Sequence, residues 1–163
     1  MDFSPFLTVA GTLGGTALGA WITHGLARRR TVQDKLWDQR REAYSQIVSH
    51  VHKMHDACSM MVDGYNEDAS AFYNSTRRNG IIKDMWQSYR DIRLSRTNNI
   101  LIMSKIFTDA VDSMIKSISE MTSDPDGDDV LYVEDLAKVL EKYKNKLTDT
   151  GSSELMGAAG QKR

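Results

Sequence analysis

No proline interrupts the chain between Pro5 and Pro125. A proline inside a helix removes a backbone donor and clashes with the preceding turn, at a cost of about 3 kcal/mol. A stretch this long without one, with apolar residues recurring every three or four positions, is the pattern of an all-α chain. The formal net charge is −1 at pH 7. That leaves no global basic footprint, and no nucleic-acid partner is expected. The single cysteine, Cys58, excludes an internal disulfide framework and suits a reducing compartment.

The stretch Phe6–Leu26 carries no Asp, Glu, Lys or Arg. At about 1.5 Å per residue it reaches roughly 30 Å, the thickness of a bilayer core. It predicts an uncleaved transmembrane helix, with a short extracytoplasmic N-terminus over residues 1–5. Arg28, Arg29 and Arg30 follow it directly, and the positive-inside rule then places the C-terminal part in the cytoplasm of an inner membrane. A cleaved secretory signal fits less well, because the basic residues come after the apolar run. Glycine and threonine dilute the segment, which makes it only marginally apolar.

Gly11, Gly15 and Gly19 fall at spacings of four, with Thr12 and Thr16 on a neighbouring stripe. Small residues in register allow close helix approach in lipid. The arrangement resembles the glycine-zipper motif of oligomeric membrane helices, and this resemblance implies self-association through the span.

Residues 28–147 read as an antiparallel bundle of three or four helices on the cytoplasmic side. A first long helix runs from Arg28 to about Tyr65. Its seam steps through Leu36, Arg40, Ala43, Ile47, Val51, Met54, Cys58 and Met61, widened by Trp37 and Tyr44. Whether this helix continues the span or starts afresh at Thr31, with Asp34 three residues on, stays open. A second helical stretch over Glu67–Arg96 contains a candidate turn at Asn79-Gly80 and an apolar face that includes Met85 and Tyr89. A third is expected from about Ile100, capped by Thr97-Asn98-Asn99, with Ile106 and Phe107 among its inward residues. A fourth covers about Val133–Leu147, with Leu136 and Leu140 inward. Residues 148–163 are rich in Gly, Ser and Ala and read as a disordered tail.

The run Trp37-Asp38-Gln39-Arg40-Arg41-Glu42-Ala43-Tyr44, placed after an apolar span and a basic cluster, resembles a loose group of small bacterial single-span membrane proteins. Ser88-Tyr89-Arg90-Asp91-Ile92-Arg93-Leu94 adds to the resemblance. It implies the anchored-bundle architecture and a bacterial source, and it carries over no catalytic residue.

His52, His55, Asp56 and Cys58 stand at helical ligand spacings, but as polar neighbours of a core seam they are not expected to hold a metal. The acidic run Asp124-x-Asp126-x-Asp128 departs from the calcium-loop pattern, with Asp129 where glycine belongs. No phosphate-cradling loop, nucleophile elbow or paired-cysteine motif is present in the sequence, so no cofactor and no enzymatic activity are expected. The expected function is a single-pass membrane protein that self-associates through its span, with the bundle as an interaction or sensing module. Membrane lipid, a second copy of the chain and an unidentified protein are its expected partners. The alternative is an oligomeric pore gated by the bundle, suggested by the polar character of the span.

Overall fold

The computed structural model describes the backbone of residues 4–121 and 129–160, and the side chains of residues 31–121 and 130–157. Four helices follow one another: α1 Ser4–Tyr73, α2 Thr76–Asn98, α3 Lys105–Met121 and α4 Asp129–Gly160. The chain divides into two units, Met1–Asp38 and Gln39–Arg163.

The first unit corrects the expected architecture. Among the described residues no helix is both long and apolar enough to cross a membrane, so the spanning helix is withdrawn from the fold. Residues 6–26 belong instead to the N-terminal part of α1. A length-and-charge reading overstates this stretch, because its glycines and threonines contribute length without hydrophobicity. The side chains of Gly11, Thr12, Gly15, Thr16, Gly19 and Arg28, Arg29 and Arg30 lie outside the described residues, as does the acidic run 124–128. α1 continues through Thr31–Asp34, so no fresh helix starts there. Leu36, expected in the core, is 48% exposed, and Trp37 is half-buried.

The second unit is an up-down-up-down four-helix bundle. Its register can be read from pairs whose numbers rise on one helix as they fall on the next. Between α1 and α2, Cys58 Sγ lies 3.6 Å from Met85 Sδ, and Arg78 Nε donates to Tyr65 OH at 2.9 Å. Between α2 and α3, Arg96 grips Asp112 with two bonds of 2.8 and 2.6 Å. Between α3 and α4, Ser117 meets Tyr143 at 3.2 Å. Between α1 and α4, His55 Nε2 stands 3.1 Å from Glu141 Oε2. The short connections at 74–75 and 99–104 make α1 and α2, and α2 and α3, antiparallel neighbours.

The core is an apolar stripe from each helix. α1 gives Ala43, Tyr44, Ile47, Val51, Met54, Cys58 and Met61. α3 gives Phe107, Ala110, Val111, Met114 and Ile118, and α4 gives Val133, Leu136, Leu140, Tyr143 and Leu147. α2 contributes least, with Met85, Ser88 and Ile92 buried and Tyr89 half-buried. Each large side chain so buried stabilises the fold by about 1.5–3 kcal/mol. Ile106 is 67% exposed and is corrected out of the core. It sits one residue, or about 100° of helix, from Phe107, and the buried spacing starts at Phe107.

Two boundaries also move. The α1–α2 turn falls at Asn74-Ser75, and α2 runs straight through Asn79-Gly80. Ser75 decides this as N-cap, its Oγ accepting from Arg78 N at 3.1 Å. Just before the turn, α1 is broken by extended backbone at Asp68, whose Oδ1 accepts from Ala71 N at 3.0 Å. The break folds Phe72 back against Tyr65, ring edge to face with centroids 5.1 Å apart. At the other end, α4 continues past Leu147 to Gly160, so residues 148–160 are helix rather than a disordered tail.

The two glycines of the hairpin are expected to respond oppositely to alanine. A Cβ on Gly64 would come within 2.4 Å of the buried Phe72 ring, whereas one on Gly80 would meet nothing within 4 Å. Gly80→Ala should raise stability by about 0.5–1 kcal/mol through helix propensity. Gly64→Ala should lower it, because overpacking of about 1–3 kcal/mol exceeds the same propensity gain. Urea unfolding of both variants checks the signs.

Candidate interaction site

The connection between α2 and α3, residues 99–104, is the most heavily tied irregular segment among the described residues. Its backbone folds around one carbonyl: Ile102 N and Met103 N both donate to Asn99 O, at 3.0 and 3.1 Å. Arg40, the charged member of the α1 seam, donates from Nε to Ile102 O at 2.7 Å. The guanidinium thereby gives a backbone carbonyl of the connection a charge-assisted partner.

Below it lies a polar triad from three elements. Tyr44 OH donates to Glu154 Oε2 at 2.5 Å, and Ser104 Oγ donates to Glu154 Oε1 at 2.6 Å. Ser104 N donates to Tyr44 OH at 3.0 Å. Ser104 is also the N-cap of α3, its Oγ accepting from Phe107 N at 3.0 Å. Each member both holds and is held, as buried polar groups require. The Tyr44 ring stacks on Phe107 with centroids 3.8 Å apart and planes 10° from parallel. Gly151 on α4 makes room for the stack, since a Cβ there would stand 3.3 Å from Tyr44 Cδ2. Burial, then the bond to the Glu154 carboxylate, raises the Tyr44 pKa above its ordinary value.

The consequence is a rigid corner that displays apolar side chains. Met103 is buried and Ile102 half-buried, yet Leu101 between them and the α2 end is 96% exposed, with Ile100 before it and Ile106 in the first turn of α3 also exposed. On α3, Lys105 pairs with Asp109 at 2.7 Å, so both charge signs flank Ile106.

The sequence candidates for metal binding do not converge as a set. His52 is exposed, His55 turns to Glu141 on α4, Asp56 Oδ1 lies 3.6 Å from His55 Nδ1, and Cys58 faces the core. Among the described residues no three His, Cys, Asp or Glu side chains gather as a metal site. Burial pushes the Cys58 thiol up to about 12, which makes it a packing residue rather than a nucleophile. Tyr132 is likewise pushed up to about 12, chiefly by burial and then by Cys58 and Tyr89. Its hydroxyl is buried without a hydrogen-bond partner among the described residues.

Sequence reasoning missed Ser104, Glu154 and Leu101. Ser104 was detectable as a cap three residues before Phe107. Glu154 was hidden by the tail reading, although Leu147, Gly151 and Leu155 continue the α4 period of four. No protein-family model, curated protein or solved structure matches the chain.

Two outcomes are expected. Tyr44→Phe leaves Glu154 Oε2 and Ser104 N without their partner, and should cost about 1–3 kcal/mol in urea unfolding at an unchanged slope. Cys58 and Tyr132 both favour the protonated form in the fold, from ordinary values of 9.0 and 10.0. Their contribution is complete below pH 9 and is lost as pH rises toward 12. Stability measured against pH should therefore fall across that window, and less steeply in Tyr132→Phe.

Proposed function

We propose that the bundle is a non-catalytic interaction module that associates with a second copy of the chain through the α2–α3 corner. The observation that carries this reading is Leu101, 96% exposed beside a backbone fixed by the Arg40 bond to Ile102 and by the buried Met103. An apolar side chain displayed on a pre-ordered loop loses little entropy when it docks, which is the property of interface anchors. Ile100 and Ile106 extend the apolar surface. Lys105 and Asp109 supply opposite charges on one helix face. A two-fold contact needs a self-complementary patch of this kind, because each residue meets the same surface on its partner.

The polar chemistry supports binding over catalysis. The one thiol is sealed in the core, and Tyr44, Ser104 and Glu154 direct their hydrogen bonds at one another.

Sedimentation over a concentration series tests the proposal. The wild-type chain is expected to form a dimer that Leu101→Ser/Ile106→Ser weakens by about tenfold or more. Both side chains are exposed, so the variant should keep its melting temperature. A monomer at every concentration, or a dimer indifferent to the variant, overturns the reading.

A further inference from the structure

A second feature lies on the α1–α2 hairpin, on residues other than those of the α2–α3 corner. The two helices run antiparallel with Ala57 on one and Ser88 on the other at the middle of their seam. Two small side chains there leave the flank of the seam open, and a groove of about 390 Å³ results. That volume falls within the range of small-molecule sites, about 300–1,000 Å³. Ala57, Met60 and Ile81 give it an apolar lining. Met60 is exposed, and an unbranched thioether adapts to the shape of what it covers.

The polar lining is sorted by what is already engaged. Asp91 accepts from Gln87 Nε2 at 2.9 Å and faces His50 Nδ1 at 3.9 Å. Asp56 faces His55. Lys53 and Asp84 also line the groove, with opposite charges, and neither forms an ion pair among the described residues. Ser88 lines it too and is 7% exposed, the one buried polar residue of the described core. Its hydroxyl makes no hydrogen bond among the described residues. Ser88 Oγ is not among the buried polar atoms left without a partner, so the hydroxyl is open to the groove and free to hydrogen-bond a ligand atom there.

We propose that this groove binds a free amino acid with an apolar side chain. Its ammonium group pairs with Asp84 and its carboxylate with Lys53. Ser88 Oγ hydrogen-bonds the polar end, and the side chain lies against Ala57, Met60 and Ile81. A zwitterion is the ligand class that answers both unpaired charges at once. A plain cation would meet Lys53, and a plain anion would meet Asp84.

Leucine is the probe, with 3-methylbutylamine and 4-methylpentanoate as arms that each carry one of its charges. Binding is read by amide chemical shifts and by the melting temperature of the full chain, which a ligand of the folded state raises. Leucine should bind saturably at millimolar concentration and shift amides of residues 53–60 and 81–88. Each single-charge arm should bind about tenfold more weakly, the effect of one lost charge-assisted bond. Asp84→Asn and Lys53→Met, both exposed and so expected to fold, should weaken leucine by a similar factor. The proposal is overturned by no saturable shift, by shifts confined to other residues, by an amine arm as tight as leucine, or by binding indifferent to both variants.

Discussion

A helical bundle closes its corners only where the carbonyls and amides freed at helix ends find new partners. In this chain one carboxylate does much of that at the α2–α3 corner. Glu154 accepts from Tyr44 on α1 and from Ser104 at the start of α3, while Ser104 returns a backbone bond to Tyr44. Three elements distant in sequence are thereby tied at one point, with the Tyr44–Phe107 stack beneath it. Arg40 completes the corner by taking the Ile102 carbonyl. The position of α3, the end of α2 and the last turns of α4 all depend on this network. Each of its members would be left unsatisfied by the loss of another.

α2 stands apart from the other helices in how it is held. It buries only Met85, Ser88 and Ile92, and it is secured largely by polar contacts near its ends, to Tyr65 at one and Asp112 at the other. Between those ends, Ala57 and Ser88 are too small to fill the flank of the seam. The same helix therefore borders both the displayed apolar corner and the open groove. The more deeply packed α3 and α4 stripes act as the frame.

The helical bundle was legible, as three or four helices, because the seam of α1 and the stripes of α3 and α4 keep their period without a proline. The errors arose where a local signal competed with a tertiary one. Phe6–Leu26 met the criteria of length and missing charge, but its glycines and threonines left it weakly apolar. Asn79-Gly80 looked like a turn, yet Ser75 had already capped the helix that passes through it. The α1 period extends to Leu36, whose side chain is nevertheless exposed. Ile106 was one position out of phase. The polar network was not legible at all, since nothing local pairs residue 44 with residues 104 and 154.

That network also explains why a surface leucine carries more meaning here than exposure alone. Isolated exposed aliphatic residues are ordinary. Leu101 differs because the residue after it is bonded through its carbonyl to α1, and the next is buried in the core. A loop free to turn Leu101 inward would have to break the bond to Arg40 and expose Met103. Partial burial of one leucine is worth less than the sum of those losses, which explains why the side chain stays outward. The exposed position is thus a consequence of how the corner is held, and the interaction surface follows from the bonds that close the bundle.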